Sequence, residues 1–193
     1  PFEIMRAIDA ADITRTVRYK FVDELLTWRE WCHWRVTQKP ELLRYSSLPT
    51  AARKTMEEHS DDPRDVLALG DLIHGRTPDE TWNAAQRQWL ATGWMHNNLR
   101  MYWAKQIIKW TASPQMAWAT ACYLNDRLSL DGRDPATYVM MRWAFGEARP
   151  GYREQPIYGW VTRKTDGAIR KRPGMVAWLD HWACKEAGRI TVP

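Results

Sequence analysis

Residues 92–110 hold the side chains best suited to chemistry in this chain. The hydrogen-bonding groups of Asn97, Arg100 and Lys105 are interleaved there with aromatic rings such as that of Trp103. A helix that only packs into a core has little use for so many donors and acceptors beside aromatic rings. The mixture therefore predicts that this stretch contacts a ligand.

The apolar residues of the same stretch recur with the period of a helix. Leu99, Trp103, Ile107 and Trp110 stand at i, i+4, i+8 and i+11, which predicts a helix that begins just after Gly93. Seven residues separate two of the tryptophans, so their rings are expected on one helix face, ~10 Å apart along the axis.

A second candidate site lies near the start of the chain. Helical periodicity resumes at about residue 13, with Asp12 as the predicted N-cap. Glu24 and Trp28 are one turn apart on this helix, so a carboxylate and an indole are expected to point into the same space. The alternative is an exposed glutamate beside a core tryptophan.

Two further helix starts carry capping signals. Thr77 is the predicted N-cap of one helix, followed by Pro78 at its first position. Ser113 and Pro114 stand in the same relation at the start of another. Because residues 116–124 are apolar almost all round, that later helix is predicted to be central.

The remaining pattern predicts an all-α fold in a single domain over residues 1–193. No convincing β alternation and no internal repeat occurs, and the length allows a substantial core without disulfides or metals. No apolar run is long enough to span a bilayer, so no membrane partner is expected. The net charge of +5 fits a polyanionic partner without requiring one.

Cysteine and tryptophan usage narrow the function classes. Cys32, Cys122 and Cys184 are odd in number and widely spaced, so neither a disulfide framework nor a metal site is predicted, and a cytoplasmic location fits best. Thirteen tryptophans are far more than a chain of this length normally has. They indicate either a tryptophan-rich core or platforms and electron carriers for a flat aromatic ligand.

Four runs of residues together resemble one known family, the class II cyclobutane pyrimidine dimer photolyases, in their C-terminal, flavin-binding helical domain. The likeness covers residues 21–172. The runs are Thr92-Gly93-Trp94-Met95-His96-Asn97, Leu99-Arg100-Met101-Tyr102-Trp103-Ala104-Lys105, Tyr123-Leu124-Asn125-Asp126 and Leu130-Asp131-Gly132-Arg133-Asp134-Pro135. The resemblance implies bound FAD, DNA containing pyrimidine dimers as substrate and partner, and light-driven electron transfer that splits the dimer.

The resemblance implies roles for residues at the cofactor. Arg100 and Asp131 match the family's charged pair beside the isoalloxazine ring, where a fixed cation and its partner tune flavin electronics. Asn125 matches the asparagine that faces the flavin N5 atom. Asn97 matches an amide close to both flavin and substrate.

It implies substrate contacts as well, because the dimer must be flipped from the duplex and held by stacking. Trp28 and Trp143 match the two indoles that pack against the flipped pair. Glu24 matches the carboxyl that hydrogen-bonds the bases, and Met101 matches a contact beneath the dimer. The Glu24–Trp28 pair is therefore expected to be functional.

Two further groups complete the expected site. Trp103, Trp82 and Trp110 match the proximal, middle and distal members of the family's tryptophan relay, which carries electrons between protein surface and flavin. Arg170 and Lys171 belong to a basic run that is either a solvated face or a phosphate contact in the DNA-binding surface.

Parts of the family pattern find no match. The chain is expected to lack the N-terminal α/β antenna domain and the Ser-rich segment that holds the FAD phosphates, so a second chain or a missing N-terminal part would complete the FAD site. Asn98, Thr162 and residues 148–152 also depart from the pattern. Two hypotheses follow: a photolyase-type enzyme, or a cofactor-poor helical module that binds DNA or a partner protein without catalysis.

Overall fold

The computed structural model describes residues 1–147 and 153–183, and these form an all-α fold, as expected. The helices are α1 (Phe2–Ala10), α2 (Arg15–Val22), α3 (Arg29–Gln38), α4 (Thr50–Glu58), α5 (Leu69–His74), α6 (Glu80–Thr92), α7 (Asn97–Lys109), α8 (Pro114–Leu128), α9 (Pro135–Arg142), α10 (Asp166–Arg170) and α11 (Met175–Ala183). Within the described ranges the chain has no strand, only a bridge between Gln155 and Gly159. No helix in those ranges has the length and apolar character needed to cross a membrane.

Two irregular turns adjoin the regular helices. Asp23–Trp28 is a π-helical turn that joins α2 to α3, whereas Trp143–Glu147 follows α9 through a kink at Phe145 and Gly146, where the backbone is not helical. π-Helical turns insert an extra residue into a helix and are frequent at functional sites. The two indoles expected to contact substrate, Trp28 and Trp143, lie one at the end of the first turn and one at the start of the second.

The core is centred on α6 and α7. Between them these helices bury four indoles, and α7 is buried almost continuously from Leu99 to Ile108. The prediction that residues 116–124 form the central helix is wrong, because Met116 and Tyr123 are 55% and 40% exposed on the outer side of α8. The helix expected to contact a ligand is thus also the helix most firmly fixed by packing.

Two predicted N-caps are displaced by two residues. α2 begins at Arg15, capped by the Thr14 hydroxyl rather than by Asp12. α6 is capped by Asp79, whose Oδ1 accepts a hydrogen bond from the Trp82 amide at 3.0 Å. Thr77 instead donates its hydroxyl to the Asn83 side chain at 2.8 Å, which leaves the capping role to the carboxylate.

The bounds of α7 and α8 also differ from the predicted ones. Gly93 closes α6 with a left-handed φ of +66°, and α7 begins only at Asn97, where the His96 ring accepts from the Asn98 amide. The predicted cap and first residue of α8, Ser113 and Pro114, are confirmed. That helix continues to Leu128.

Gly159 is the position where the fold most clearly requires a glycine. Its φ is +55°, and a Cβ there would lie 1.9 Å from the Thr55 hydroxyl oxygen on α4. We expect Gly159→Ala to lower the free energy of unfolding by about 2–4 kcal/mol, from backbone strain and the clash together. Chemical denaturation followed by circular dichroism measures this.

Gly70→Ala is the matched control, because no atom lies within 4 Å of a Cβ at that position in α5. Alanine is also the better helix former, so this variant should be unchanged or slightly more stable. Equal unfolding free energies for the two variants would contradict the packing described at Gly159.

Candidate functional site

A cavity of about 1120 Å³ opens beside the start of α7. Its walls come from α2 and the first π-helical turn, the segment before α7, the loop at Asp131 and the start of α9. The apolar lining includes Val17, Phe21, Leu25, Trp28, Trp94, Met95 and Met140, and the polar lining includes Lys20, Glu24, Arg29, His96, Asn97, Arg100 and Asp131. A pocket of this size and mixed lining suits a cofactor-sized ligand.

Five of the residues predicted to be functional border this cavity. They are Glu24, Trp28, Asn97, Arg100 and Asp131, which the chain brings together from three separate regions. The other predicted residues are not among those that line it: Met101, Asn125, Trp143, Trp82, Trp103, Trp110, Arg170 and Lys171.

Arg100 and Asp131 form an ion pair at the cavity wall, in which one guanidinium nitrogen contacts both carboxylate oxygens. Arg100 Nη1 donates to Asp131 Oδ1 and Oδ2 at 3.1 and 3.0 Å, and Nη2 donates to the Ser129 hydroxyl at 3.1 Å. Burial favours protonation of Asp131, but the hydrogen bonds and charge of Arg100 outweigh it and hold the pKa of Asp131 below its usual value. Ser129, which sequence reasoning missed, therefore holds the second terminal nitrogen of Arg100.

Three buried polar atoms near this pair have no hydrogen-bond partner in the described part of the chain. They are Arg100 Nε, Asn125 Oδ1 and Trp89 Nε1. Buried polar groups in proteins are nearly always satisfied, so each such atom calls for an explanation. Of these three residues only Arg100 lines the cavity, so its guanidinium is the group that a polar cofactor bound there would contact.

The part of the cavity lining that comes from residues 23–28 presents a carboxylate and an indole. Glu24 is about half exposed and pairs with Lys20, with 2.5 Å between Nζ and Oε1. Trp28 donates from its ring nitrogen to Asp23 at 3.1 Å and packs edge-to-face against Trp143, with centroids 5.3 Å apart. The structure thus brings Trp28 and Trp143 into contact across 115 residues of chain, with Trp143 as the support of an indole that borders the cavity.

The three tryptophans of the predicted relay lie in one contact series. The rings of Trp103 and Trp82 are stacked, with centroids 5.8 Å apart and planes 9° from parallel. Trp82 then meets Trp110 edge-on at 5.3 Å. Trp110 is only 2% exposed, so the outer member of the series is itself buried.

Trp89 extends this series toward the cavity. It meets Trp103 edge-on at 4.8 Å, and the Arg100 guanidinium lies 5.4 Å from its ring centroid. Sequence reasoning assigned Trp89 no role. The available signal was its spacing, because Trp89 follows Trp82 by seven residues, as Trp110 follows Trp103.

Hydrogen bonds to uncharged groups hold Trp103 and Trp82, the two inner indoles of the series, in place. Trp103 donates from Nε1 to Gln86 Oε1 at 2.8 Å, and Gln86 in turn donates to the Ile73 carbonyl at 2.9 Å. Trp82 donates from Nε1 to the Trp103 carbonyl at 3.0 Å. Each ring is thereby fixed in orientation as well as in position.

Lys105 does not belong to the ligand-contacting set that the sequence suggested. Its ammonium is buried and donates to the carbonyl oxygens of Ala144 and Thr162 and to the Thr162 hydroxyl. Burial, with the nearby charge of Lys164, lowers the pKa of Lys105 to about 7. Lys105 and Thr162 therefore tie α7 to the loop before α10.

The other departures and the basic run lie away from the cavity lining. The Asn98 side chain accepts from Lys164 at 3.4 Å, and residues 148–152 lie outside the described residues. Arg170 pairs with Asp166 at 2.7 Å, and Lys171 is exposed. Phosphate contact by these two residues stays a prediction.

Across residues 1–147 and 153–183, no group of three or more histidine, cysteine, aspartate or glutamate side chains is arranged to hold a metal ion.

The Arg100–Asp131 pair gives a prediction about proton affinity. Arg100→Gln should raise the pKa of Asp131, because burial would then act without the opposing cation. In the wild type the pair adds stability above the normal carboxyl range, and this is lost as pH falls through the lowered pKa. Carbon-13 NMR titration of the Asp131 carboxyl measures the shift.

The control for this titration is Arg76→Gln, which removes an arginine paired with Asp71 at 3.0 Å on another part of the surface. It should leave the Asp131 titration unchanged. An Asp131 pKa that is the same in Arg100→Gln as in the wild type would show that the ion pair does not set it.

No protein-family model matches the chain, but curated relatives do. The chain is 37% identical over 163 residues, 84% of its length, to "Deoxyribodipyrimidine photo-lyase" of Methanothermobacter thermautotrophicus. It is 35% identical over 166 residues to the protein of that name in Oryza sativa subsp. japonica, with 83% of the chain covered. With the one from Potorous tridactylus it shares 46% identity over 135 residues, 69% of the chain.

These matches take up only part of each relative. The chain spans 37%, 32% and 23% of the length of the three proteins, in the order given. Over most of its length the chain is therefore similar in sequence to proteins named deoxyribodipyrimidine photo-lyase, and it matches about a third of the length of the first two relatives.

Proposed function

We propose that this chain forms the flavin-binding and lesion-binding region of a class II photolyase that splits cyclobutane pyrimidine dimers in DNA. The observation that carries the proposal is the cavity itself. It joins an arginine–aspartate pair, whose Arg100 Nε is unpartnered, to a facing carboxylate and indole, Glu24 and Trp28. Next to it begins a continuous series of indoles.

FAD is the proposed cofactor, and when reduced and excited by light it supplies the single electron that splits the dimer. Arg100 and Asp131 would flank its ring system, with a fixed positive charge and its counterion. Asn97 borders the cavity, and Asn125, which does not line it but has an unpartnered Oδ1, is proposed as a further contact. These side chains orient the ring and set the electrostatic potential around it.

The proposed substrate side lies across the cavity. Trp28, supported by Trp143, gives the flipped bases a flat apolar surface to stack against, while the Glu24 carboxylate accepts hydrogen bonds from their polar edges. Met101 is proposed as a contact beneath the dimer. Arg170 and Lys171 are proposed to contact DNA phosphates, a role that the net positive charge of the chain supports.

The indole series is proposed to supply electrons to the cofactor. Indole is among the side chains most easily oxidised, and centroid separations of 5.3 and 5.8 Å bring Trp103, Trp82 and Trp110 into van der Waals contact. Trp103 and Trp110 lie on one face of α7, and Trp82 reaches between them from α6. The rings can therefore pass charge in short steps.

The first test is reconstitution with FAD. Added FAD should bind, with quenching of its fluorescence, and light should then remove thymine dimers from DNA.

Trp28→Ala should weaken binding of dimer-containing DNA roughly 5- to 150-fold, since stacking on an aromatic ring contributes about 1–3 kcal/mol per base. Fluorescence anisotropy with a dimer-containing oligonucleotide measures the affinity.

Trp34→Ala is the control, because this 61% exposed tryptophan of α3 does not line the cavity. Its affinity for the lesion should stay at the wild-type value. If FAD neither copurifies nor binds, and light removes no dimers, the enzyme proposal fails for this chain. DNA binding without flavin would then favour the helical module without catalysis.

The second test separates electron supply from repair. Trp110→Phe should slow light-driven reduction of bound FAD severalfold, because phenylalanine is much harder to oxidise than tryptophan. Repair by chemically reduced FAD should be unaffected. Absorbance of the flavin under blue light measures the first quantity, and loss of dimers after dithionite reduction measures the second.

Trp118→Phe is the matched control, since Trp118 is a buried tryptophan that packs on Phe145 outside the indole series. Its photoreduction should equal that of the wild type. If Trp110→Phe loses both activities to the same extent, Trp110 is not a relay residue.

A further inference from the structure

We propose that the Lys109 ammonium makes loss of an electron from Trp110 less favourable than loss from the stacked pair of Trp82 and Trp103. Lys109 Nζ lies 4.8 Å from the centroid of the Trp110 ring. Lys109 acts through that ring and touches neither substrate nor cofactor, so it is a positioning residue. The inference rests on the relay proposed above.

The sign of this contact depends on the redox state of the ring. A neutral indole has an electron-rich face that attracts a cation. Once Trp110 has lost an electron, the ring is positive and the same ammonium repels it. Because Trp110 is 2% exposed, little water is available to screen that repulsion.

Charged groups around Lys109 act on the ammonium in both directions. Burial lowers the pKa of Lys109, and Arg163 adds to that effect, whereas Asp79 and Asp65 favour the protonated form. The two carboxylates therefore help to retain the charge on the amine. Of these groups, the ammonium is the one placed over the indole face.

The opposite end of the series also has a cation. The Arg100 guanidinium lies 5.4 Å from the Trp89 ring, whereas the inner rings of Trp103 and Trp82 donate to neutral oxygens of Gln86 and of the main chain. In the described part of the chain, neither inner ring has a cation over its face. Both ends of the series thus disfavour positive charge more than its middle does.

The electron step affected is a simple exchange. An electron leaves Trp110 and fills the vacancy on oxidised Trp82, so that Trp82 returns to its neutral form and Trp110 becomes the radical cation. Lys109 makes this exchange less favourable. Removal of the Lys109 charge should therefore increase oxidation at Trp110.

The experiment uses the whole chain without flavin. Light and persulfate convert tris(bipyridine)ruthenium(II) to its ruthenium(III) form, which takes one electron from tryptophan. Oxidation at each tryptophan is then read by mass spectrometry of peptides from a protease that does not cut at lysine. The exposed Trp34 serves as the internal reference.

Lys109→Gln and Lys109→Met should each raise the oxidised fraction of Trp110, relative to Trp34, by about tenfold. Lys109→Arg keeps the charge and should match the wild type. Lys54→Gln, which removes a lysine paired with Glu58 on the surface, controls for net charge and should also match.

Two results would overturn the inference. One is an unchanged Trp110 fraction in both neutral variants. The other is an equal rise in Lys109→Arg, which would indicate loosened packing instead of lost charge. No flavin is present, so a chain that never binds FAD can still meet the expectation, and a chain that repairs dimers can still fail it.

Discussion

The packing of α6 against α7 through alternating indoles is the interaction on which the rest of the structure depends. α6 contributes Trp82 and Trp89, and α7 with the residue that follows it contributes Trp103 and Trp110. Seven residues of helix at a rise of 1.5 Å per residue span about 10 Å. Trp103 lies between Trp89 and Trp82, and Trp82 lies between Trp103 and Trp110. The resulting centroid separations are 4.8, 5.8 and 5.3 Å.

This arrangement divides the cavity into a rigid wall and a more exposed one. Arg100 extends from the buried helix α7 and is held by Asp131 and Ser129, so its position is set by the core. Glu24 and Trp28 lie on a π-helical turn near the start of the chain, where no residue of α2 or of that turn is fully buried. A cofactor is best served by the first wall, and a substrate that enters and leaves by the second.

The sequence was sufficient to predict the helices, but it was insufficient to predict the exact helix caps and the long-range contacts. Hydrophobic periodicity identifies the helices because it reflects burial along each one. It does not decide among neighbouring caps, because whether Thr77 or Asp79 caps α6 depends on which side chain Asn83 captures. Lys105 illustrates a second limit, since nothing local indicates that carbonyl oxygens from two distant segments surround it.

The candidate site residues were predicted from the resemblance to a known family. Local sequence pattern alone would not have predicted that they lie close together. Trp28 and Trp143 meet only because α3 and α9 pack together, and no periodicity connects positions so far apart. Trp89 was within reach of sequence reasoning, because its spacing from Trp82 repeats that of the tryptophans in α7. Its importance depends on the neighbouring helix, which the spacing alone does not reveal.

The hydrogen bonds of the inner indoles have a consequence for how charge moves. An indole that has lost an electron is far more acidic than the neutral ring and releases its ring proton when a base is within reach. The partners here are the side-chain amide of Gln86 and the peptide carbonyl of Trp103, and neither is basic enough to take that proton. A positive charge placed on Trp103 or Trp82 would therefore be uncoupled from proton transfer to these partners, and its return would require no proton to be recovered from them.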